Sequence, residues 1–215
     1  LWAPEKLERQ VHAMERFPEV GLVHTDGYFI GAEGERLQGT PLGFAFPKEE
    51  AGDALLGLIY QNKIIASAAL VRRLCFDELG GFNEAFFGSG DWEMWLRIAE
   101  KWRIGFVAEP LTMYRVHGEN ASHNLERIWR DDEMLREWMR TRYWTYGEKG
   151  LEGYALKKAL AHNEACLGTV KMLNGKPAEA REAYRNSLKM EPLRLKSYLR
   201  LWATYLPRSV FRWLK

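Results

Sequence analysis

Residues 78–97 constrain the fold more than any other stretch: Glu78-Leu79-Gly80-Gly81-Phe82-Asn83-Glu84-Ala85-Phe86-Phe87-Gly88-Ser89-Gly90-Asp91-Trp92-Glu93-Met94-Trp95-Leu96-Arg97. Gly80, Gly81, Gly88 and Gly90 share a loop with two aromatic clusters, and the loop runs straight into a helical pattern. Glycines grouped this way mark a backbone shaped by positive φ or by close approach. Trp92, Leu96 and Ala99 fall on one helical stripe, with Trp95, Ile98 and Trp102 on the next. So wide an apolar face predicts a buried helix. Asp91 stands where loop becomes helix. A carboxylate there is either an N-cap for orphan N–H groups or a working group at the floor of a cleft.

The 215 residues allow one large domain or a smaller domain with an appendage. Composition is that of an ordinary globular protein, and the formal charge of +2 selects no class of partner. No basic run of nucleic-acid type is present, so nucleic acid is not an expected partner. Cys75 and Cys166 lie far apart without metal spacing, which suits a reducing compartment and a cytoplasmic location. No apolar run reaches the roughly 18 residues of a membrane span, and no signal peptide is visible. The sequence begins Leu1-Trp2-Ala3-Pro4 without an initiator Met, so it reads as an excised piece. Neither a Gly-Lys-Ser/Thr phosphate loop nor a Gly-x-Ser-x-Gly elbow occurs. His12, His24, His117, His123 and His162 show no ligand spacing beyond a loose 117/123 pair.

Taken in order, Pro4 sits in the first turn of a helix carrying Leu7, Val11 and Met14 inward, and Phe17-Pro18 ends it. Residues 20–25 predict a buried strand that resumes at Tyr28-Phe29-Ile30. Asp26-Gly27 or Glu33-Gly34 then supplies a hairpin turn, and the second is favoured because it leaves the longer first strand. Residues 38–50 read as an ordered loop over a cleft. A short helix over 54–60, a buried strand over 64–71 and a helical turn over 74–79 lead to the central stretch. Strands at 104–107 and 111–116 follow, with Pro110 starting a turn between them. From about Leu125 onward only helical pattern remains. Residues 161–192 match one tetratricopeptide-type helix pair, with Gly168, Ala180, Tyr184 and Pro192 at that repeat's spacing. Residues 198–215 mix Leu, Trp, Tyr and Phe with Arg and Lys. They read as a capping helix or as a segment resting peripherally on a membrane surface.

Asn62, Ser67 and Arg72, the Gly80-Gly81-Phe82-Asn83-Glu84 run, Gly90-Asp91-Trp92-Glu93-Met94-Trp95-Leu96-Arg97 and Tyr114-Arg115-Val116-His117 together resemble the C-terminal half of family 2 glycosyltransferases. Leu1-Trp2-Ala3-Pro4-Glu5-Lys6-Leu7 is similar to the segment just after that family's metal-binding Asp-x-Asp motif. The resemblance covers residues 1–124 and implies an α/β fold, a GT-A-like partial mixed sheet with flanking helices. An all-α appendage with one tetratricopeptide-like pair occupies 125–215. It implies transfer of a sugar, with inversion, from a nucleotide-diphospho-sugar to a glycan or lipid-linked acceptor, as in bacterial surface polysaccharide synthesis. In the complete enzyme a divalent metal, Mg or Mn, assists. The family's N-terminal half and its Asp-x-Asp are missing, Asp131-Asp132 is no substitute, and Gly90 stands where the family often has Glu. Alone, this acceptor-side half is expected to be inactive. The resemblance also leaves room for a homodimer and for a site at the inner face of the membrane.

The resemblance makes Asp91 the general base that takes the acceptor hydroxyl's proton; the dipole of the helix it opens favours the carboxylate form. Arg97 either clamps a phosphate or carboxylate or pairs with Glu93 one turn earlier. Glu84 and Asn83 are candidates for acceptor hydroxyls or for fixing the loop. Phe82, Phe86, Phe87 and Trp92 either stack on a sugar or anchor core and loop. Arg115 and His117 mark a diphosphate or metal contact in the resemblance, and Asp26 either lines the same cleft or caps a strand. A non-catalytic helical module that binds a partner protein is the competing reading. It requires a groove in 125–215 and no cleft at Asp91.

Overall fold

The computed structural model describes residues 1–39, 41, 46, 52–118, 124–148 and 153–206. Most of the expected loop at 38–50, and residues 207–215, lie outside the described residues. Contacts divide the chain into two units: Leu1–Ala85 with Gly90–His123, and Phe86–Ser89 with Asn124–Lys215. The described residues are mixed α/β, with a small sheet and many helices.

In the first unit α1 (Lys6–Arg16) leads to β1 (Val20–Ile30), the middle strand of a three-stranded sheet. β2 (Leu70–Val71) pairs antiparallel on one side of β1, and β3 (Arg103–Arg115) pairs parallel on the other. A strand with neighbours on both edges and cover on both faces needs a near-continuous apolar run, which Val20, Leu22, Val23, Phe29 and Ile30 supply. Between them run α2 (Leu55–Tyr60), a 3-10 turn at Ala66–Ala68, α3 (Arg73–Leu79) and α4 (Gly90–Ala99).

Of the two expected turns the structure takes the favoured one, Glu33-Gly34: β1 runs unbroken through Asp26-Gly27 and reverses after it, where Gly34 has φ 94° and Leu37 N–H returns to Phe29 O. A Cβ at Gly27 would run into the Thr112 carbonyl, so glycine here serves close strand approach, not a turn. Two other expectations are corrected. Pro110 starts no turn. It lies inside β3, opposite Asp26, where the register skips from Thr25↔Val107 to Asp26↔Pro110 and on to Gly27↔Thr112. A bulge leaves residues unpaired, so a residue without an N–H is tolerated there. The strand expected over 64–71 shrinks to Leu70–Val71, because the chain coils through Ala66–Ala68 and Ile64 O is taken by a tryptophan.

α1 also turns differently from its apolar spacing. Leu7 and Val11 face solvent, while Lys6, Gln10 and Met14 are buried. Gln10 explains this: its amide donates to Val23 O at 2.7 Å and Ala68 O at 2.9 Å, satisfying two buried carbonyls. Lys6 Nζ donates to Gln10 Oε1 at 2.7 Å and lies 4.3 Å from the centre of the Trp2 ring. Trp2 is itself tied by its indole N–H to Ser67 O at 2.7 Å, beside the bridge it makes to Thr112 of β3.

The second unit stacks α5 (Leu125–Glu148), α6 (Gly153–Leu173), α7 (Pro177–Met190) and α8 (Leu195–Ala203). Leu135, Met139, Leu160, Leu167, Ala180, Ala183 and Tyr184 form its core. A short turn with Gly175 at φ 79° returns the chain from α6 to α7. There the Tyr184 ring lies on Gly168, and a Cβ at 168 would come within 2.8 Å of it. Arg140 spans to Glu164 with two 2.6 Å bonds, and Lys171 reaches Glu137 and Glu179 at 2.6 and 2.8 Å. Phe86–Ser89 belongs to this unit because Asp131, 5% exposed, accepts the N–H groups of Phe87, Gly88 and Ser89 and the Ser89 hydroxyl. Asp131 is thus a loop anchor.

Two measurements check this packing. Alanine is favoured over glycine inside a helix by about 1 kcal/mol, yet Gly168→Ala is expected to lower stability by about 1–3 kcal/mol because the Tyr184 ring must shift. Denaturant unfolding of the helical unit reads the sign. Burial lowers the Lys6 amine to about 8 from its ordinary 10.5. The unfolded chain therefore binds the extra proton between those values, so this group makes stability rise as pH climbs from about 8 to 10.5. Lys6→Met is expected to flatten that rise relative to wild type in unfolding curves taken across the window.

Candidate functional site

The site is built on the start of α4, and tryptophans set its position. Trp92 Nε1 donates to Leu58 O at 2.7 Å, and Trp95 Nε1 to Ile64 O at 3.2 Å. Leu58 lies in the last turn of α2, where a carbonyl has no partner within the helix. The indole of Trp92 therefore caps α2 from outside. Both indoles are buried, as are Met94, Leu96 and Ile98 on the same helix. Between the two pinned carbonyls lies Asn62. Its Oδ1 accepts Ile64 N–H at 3.1 Å, and its Nδ2 points to Asp91 Oδ1 at 3.4 Å.

Asp91 is half-buried in the first turn of α4, and its Oδ1 also accepts the Trp92 N–H at 2.6 Å. Asp91 is not the expected N-cap, since α4 already includes Gly90, but from inside the first turn its carboxylate satisfies one of the helix's orphan donors. Backbone and Asn62 together fix its rotamer.

The other candidates divide clearly. Arg97 makes a bidentate pair with Glu93 at 2.7 and 2.8 Å and donates to Leu79 O and Gly81 O at 2.7 and 2.8 Å. Of its two expected roles, the geometry displays the pairing, and the pair braces α4 against the end of α3 and the glycine turn. Gly80, at φ 81°, terminates α3 in a conformation open to glycine. Trp92 is core, so its ring is not presented to a ligand. Phe82 is half-exposed and stands edge-on to Trp95 at 6.0 Å, beside Phe76 at 5.8 Å. Glu84 is exposed, and Asn83 Oδ1 folds back onto Ala85 N–H at 3.1 Å, a loop-fixing turn.

Arg115 ends β3 and donates to Gly31 O and Ala32 O, bracing the turn after β1. His117, two residues on, is exposed. Asp26 is buried at the bulge, where its Oδ1 accepts Gly27 N–H at 2.8 Å. The bonds seen hold Asp91, Arg97 and Arg115 to three different sets of partners. Among the described residues no group of three or more His, Cys, Asp or Glu side chains is arranged to hold a metal ion. A largely apolar pocket of about 180 Å³ opens between the end of α1 and β3, lined by Ala13, Phe17, Val20, Val23, Ile104 and Phe106 among others. None of the candidate residues lines it.

Asn62 is the site residue that reasoning about roles missed. Its motif position was visible, but a contact across 29 residues carries no local signal.

Over 126 residues the chain is 26% identical to a protein of Rickettsia felis named as an uncharacterized glycosyltransferase. The match covers 58% of this chain and 21% of that relative, so the chain spans about a fifth of its length. No protein-family profile matches the chain.

The tryptophan pins give a direct test. Trp92→Phe keeps most of the ring volume but removes the donor to Leu58 O. Leaving that buried carbonyl unsatisfied is expected to cost about 1–3 kcal/mol in chemical denaturation.

Proposed function

We propose that residues 1–124 form the acceptor-side part of an inverting, nucleotide-sugar-dependent glycosyltransferase of the family 2, GT-A type. The observation that carries the reading is the similarity to a named glycosyltransferase. The geometry around Asp91 supplies chemistry that suits it.

In this reading the acceptor hydroxyl lies against Asp91. As its oxygen bonds to the anomeric carbon, its proton passes to the Asp91 carboxylate. The bond from that carbon to the nucleoside diphosphate breaks on the opposite face, which inverts the configuration. The Trp92 N–H and Asn62 hold the carboxylate in one orientation while this happens. Exposed Glu84 and the half-exposed Phe82 ring are the groups beside the loop that meet the acceptor, a glycan or a lipid-linked sugar of a surface polysaccharide. Arg97 and Arg115 serve by bracing the backbone around the site. Mg or Mn, when bound, offsets charge on the departing diphosphate. The described residues hold no ligand set for it, and no step here runs through it. The α6–α7 pair, with Tyr184 seated on Gly168, follows tetratricopeptide packing in the same reading.

The test uses the full reading frame that encodes this sequence, assayed against a panel of nucleotide sugars. Asp91→Asn is expected to lower transfer by about 10²–10⁴-fold, with nucleotide binding by calorimetry nearly unchanged. Transfer retained at the wild-type rate would remove Asp91 from the base role.

A further inference from the structure

The helix α8 is built inside out for a capping helix. The face it turns to α7 is small and polar. Ser197 is buried with its hydroxyl 3.2 Å from that of Ser187, Ala203 is buried, and Thr204 receives Arg181 through its hydroxyl at 3.1 Å and its carbonyl at 3.0 Å. The opposite face carries Leu195, Leu199 and Trp202 at i, i+4 and i+7, exposed by 74%, 68% and 64%. Tyr198 and Tyr205 border the stripe and are also exposed, and Leu193 precedes it. An ordinary surface helix shows polar residues to water, and so contiguous an apolar stripe marks a surface that meets something else.

Charge says what that partner is. From Pro192 to the last residue the sequence carries Arg194, Lys196, Arg200, Arg208, Arg212 and Lys215, and no Asp or Glu. Lys196 and Arg200, one turn apart, are exposed on the flank of the stripe. At its C-terminal end Arg185 donates to the Tyr205 hydroxyl at 3.1 Å, and the Arg181 guanidinium lies 4.3 Å from that ring's centre. Among these cations Arg194 is already partnered, by Glu191 at 2.7 Å. Leu and Trp in the centre, tyrosines at the border and Lys and Arg on the flank are the distribution of a helix lying in a lipid–water interface. A second copy of the chain would set the same cations against each other. Among the described residues no helix is long and apolar enough to cross a membrane.

We infer that α8 docks the protein in-plane on an anionic lipid bilayer, with Leu195, Leu199 and Trp202 entering the headgroup boundary and Lys196 and Arg200 facing the lipid phosphates. The inference does not depend on the reaction proposed above.

The test is flotation of the 215-residue chain with phosphatidylcholine vesicles, with and without about one-third phosphatidylglycerol. Wild type is expected to float with the anionic vesicles, and to be released as salt rises. Each cation near the surface contributes about fivefold, so Lys196→Gln with Arg200→Gln is expected to weaken partitioning about 25-fold. Leu199→Ser with Trp202→Ser is expected to weaken it at least tenfold at unchanged circular dichroism and melting temperature. Wild type that stays with the soluble fraction, or variants that float equally well, would overturn the inference. So would a drop in melting temperature in the serine variant, which assigns the stripe to the chain's own interior. A wild-type dimer in sedimentation that this variant dissolves assigns it to a second copy and overturns the inference too.

Discussion

Two indole N–H groups hold the first unit's working edge together. Trp92 bonds the carbonyl of Leu58 and Trp95 that of Ile64, and both bonds are buried. Left unmade, each pair would leave polar groups buried without partners, at roughly 1–3 kcal/mol apiece. Satisfied, they fix α4 along the segment 58–64 at two points one turn apart. Asn62 lies between those points, so its reach to Asp91 follows from where the tryptophans are tied. The same bonds explain why residues 64–68 do not extend as a strand: Ile64 O is already spent on a side chain.

The sheet shows a second constraint of the same kind. β1 and β3 run parallel over most of their length, but their register skips at Asp26. Pro110 has no N–H to give a ladder, and Gly27 allows the Thr112 carbonyl to approach closer than any side chain permits. Each residue alone reads as a break. Together, one on each strand, they are complementary, and the strands continue past them. Beyond the irregularity Arg115 ties the end of β3 to the turn after β1, which fixes where His117 leaves the sheet.

This explains what the sequence disclosed and what it withheld. The buried α4 was legible because its stripes are long and regular, and Asp91 at its start followed from the glycines before it. The Arg97–Glu93 pair was legible as an i, i+4 spacing. Gln10 was not. Apolar periodicity pointed Leu7 and Val11 inward, yet the buried carbonyls of Val23 and Ala68 need donors, and one glutamine serves both. That demand comes from two segments distant in sequence, as does the contact between Asn62 and Asp91. Asp131 was invisible for the same reason: it is a helical carboxylate whose partners are three N–H groups more than 40 residues earlier. Periodicity reports which faces are apolar. It is silent on polar groups that are buried because something else needs them.

Asp91 joins both kinds of information. As a helix-terminal carboxylate it is a local feature, holding the Trp92 N–H on one oxygen. As a candidate base it needs orientation, which comes from Asn62, itself held by the Ile64 N–H. The two roles reinforce each other. A freely rotating carboxylate would spread its acceptor sites over many directions, and a hydroxyl would meet the productive one only part of the time. The bond from the Trp92 N–H restricts that freedom at no extra cost, because that donor at the helix start needs a partner in any case. Proximity and orientation account for much of what a positioned base contributes. A helix start pinned by two tryptophans is therefore a sound place to mount one.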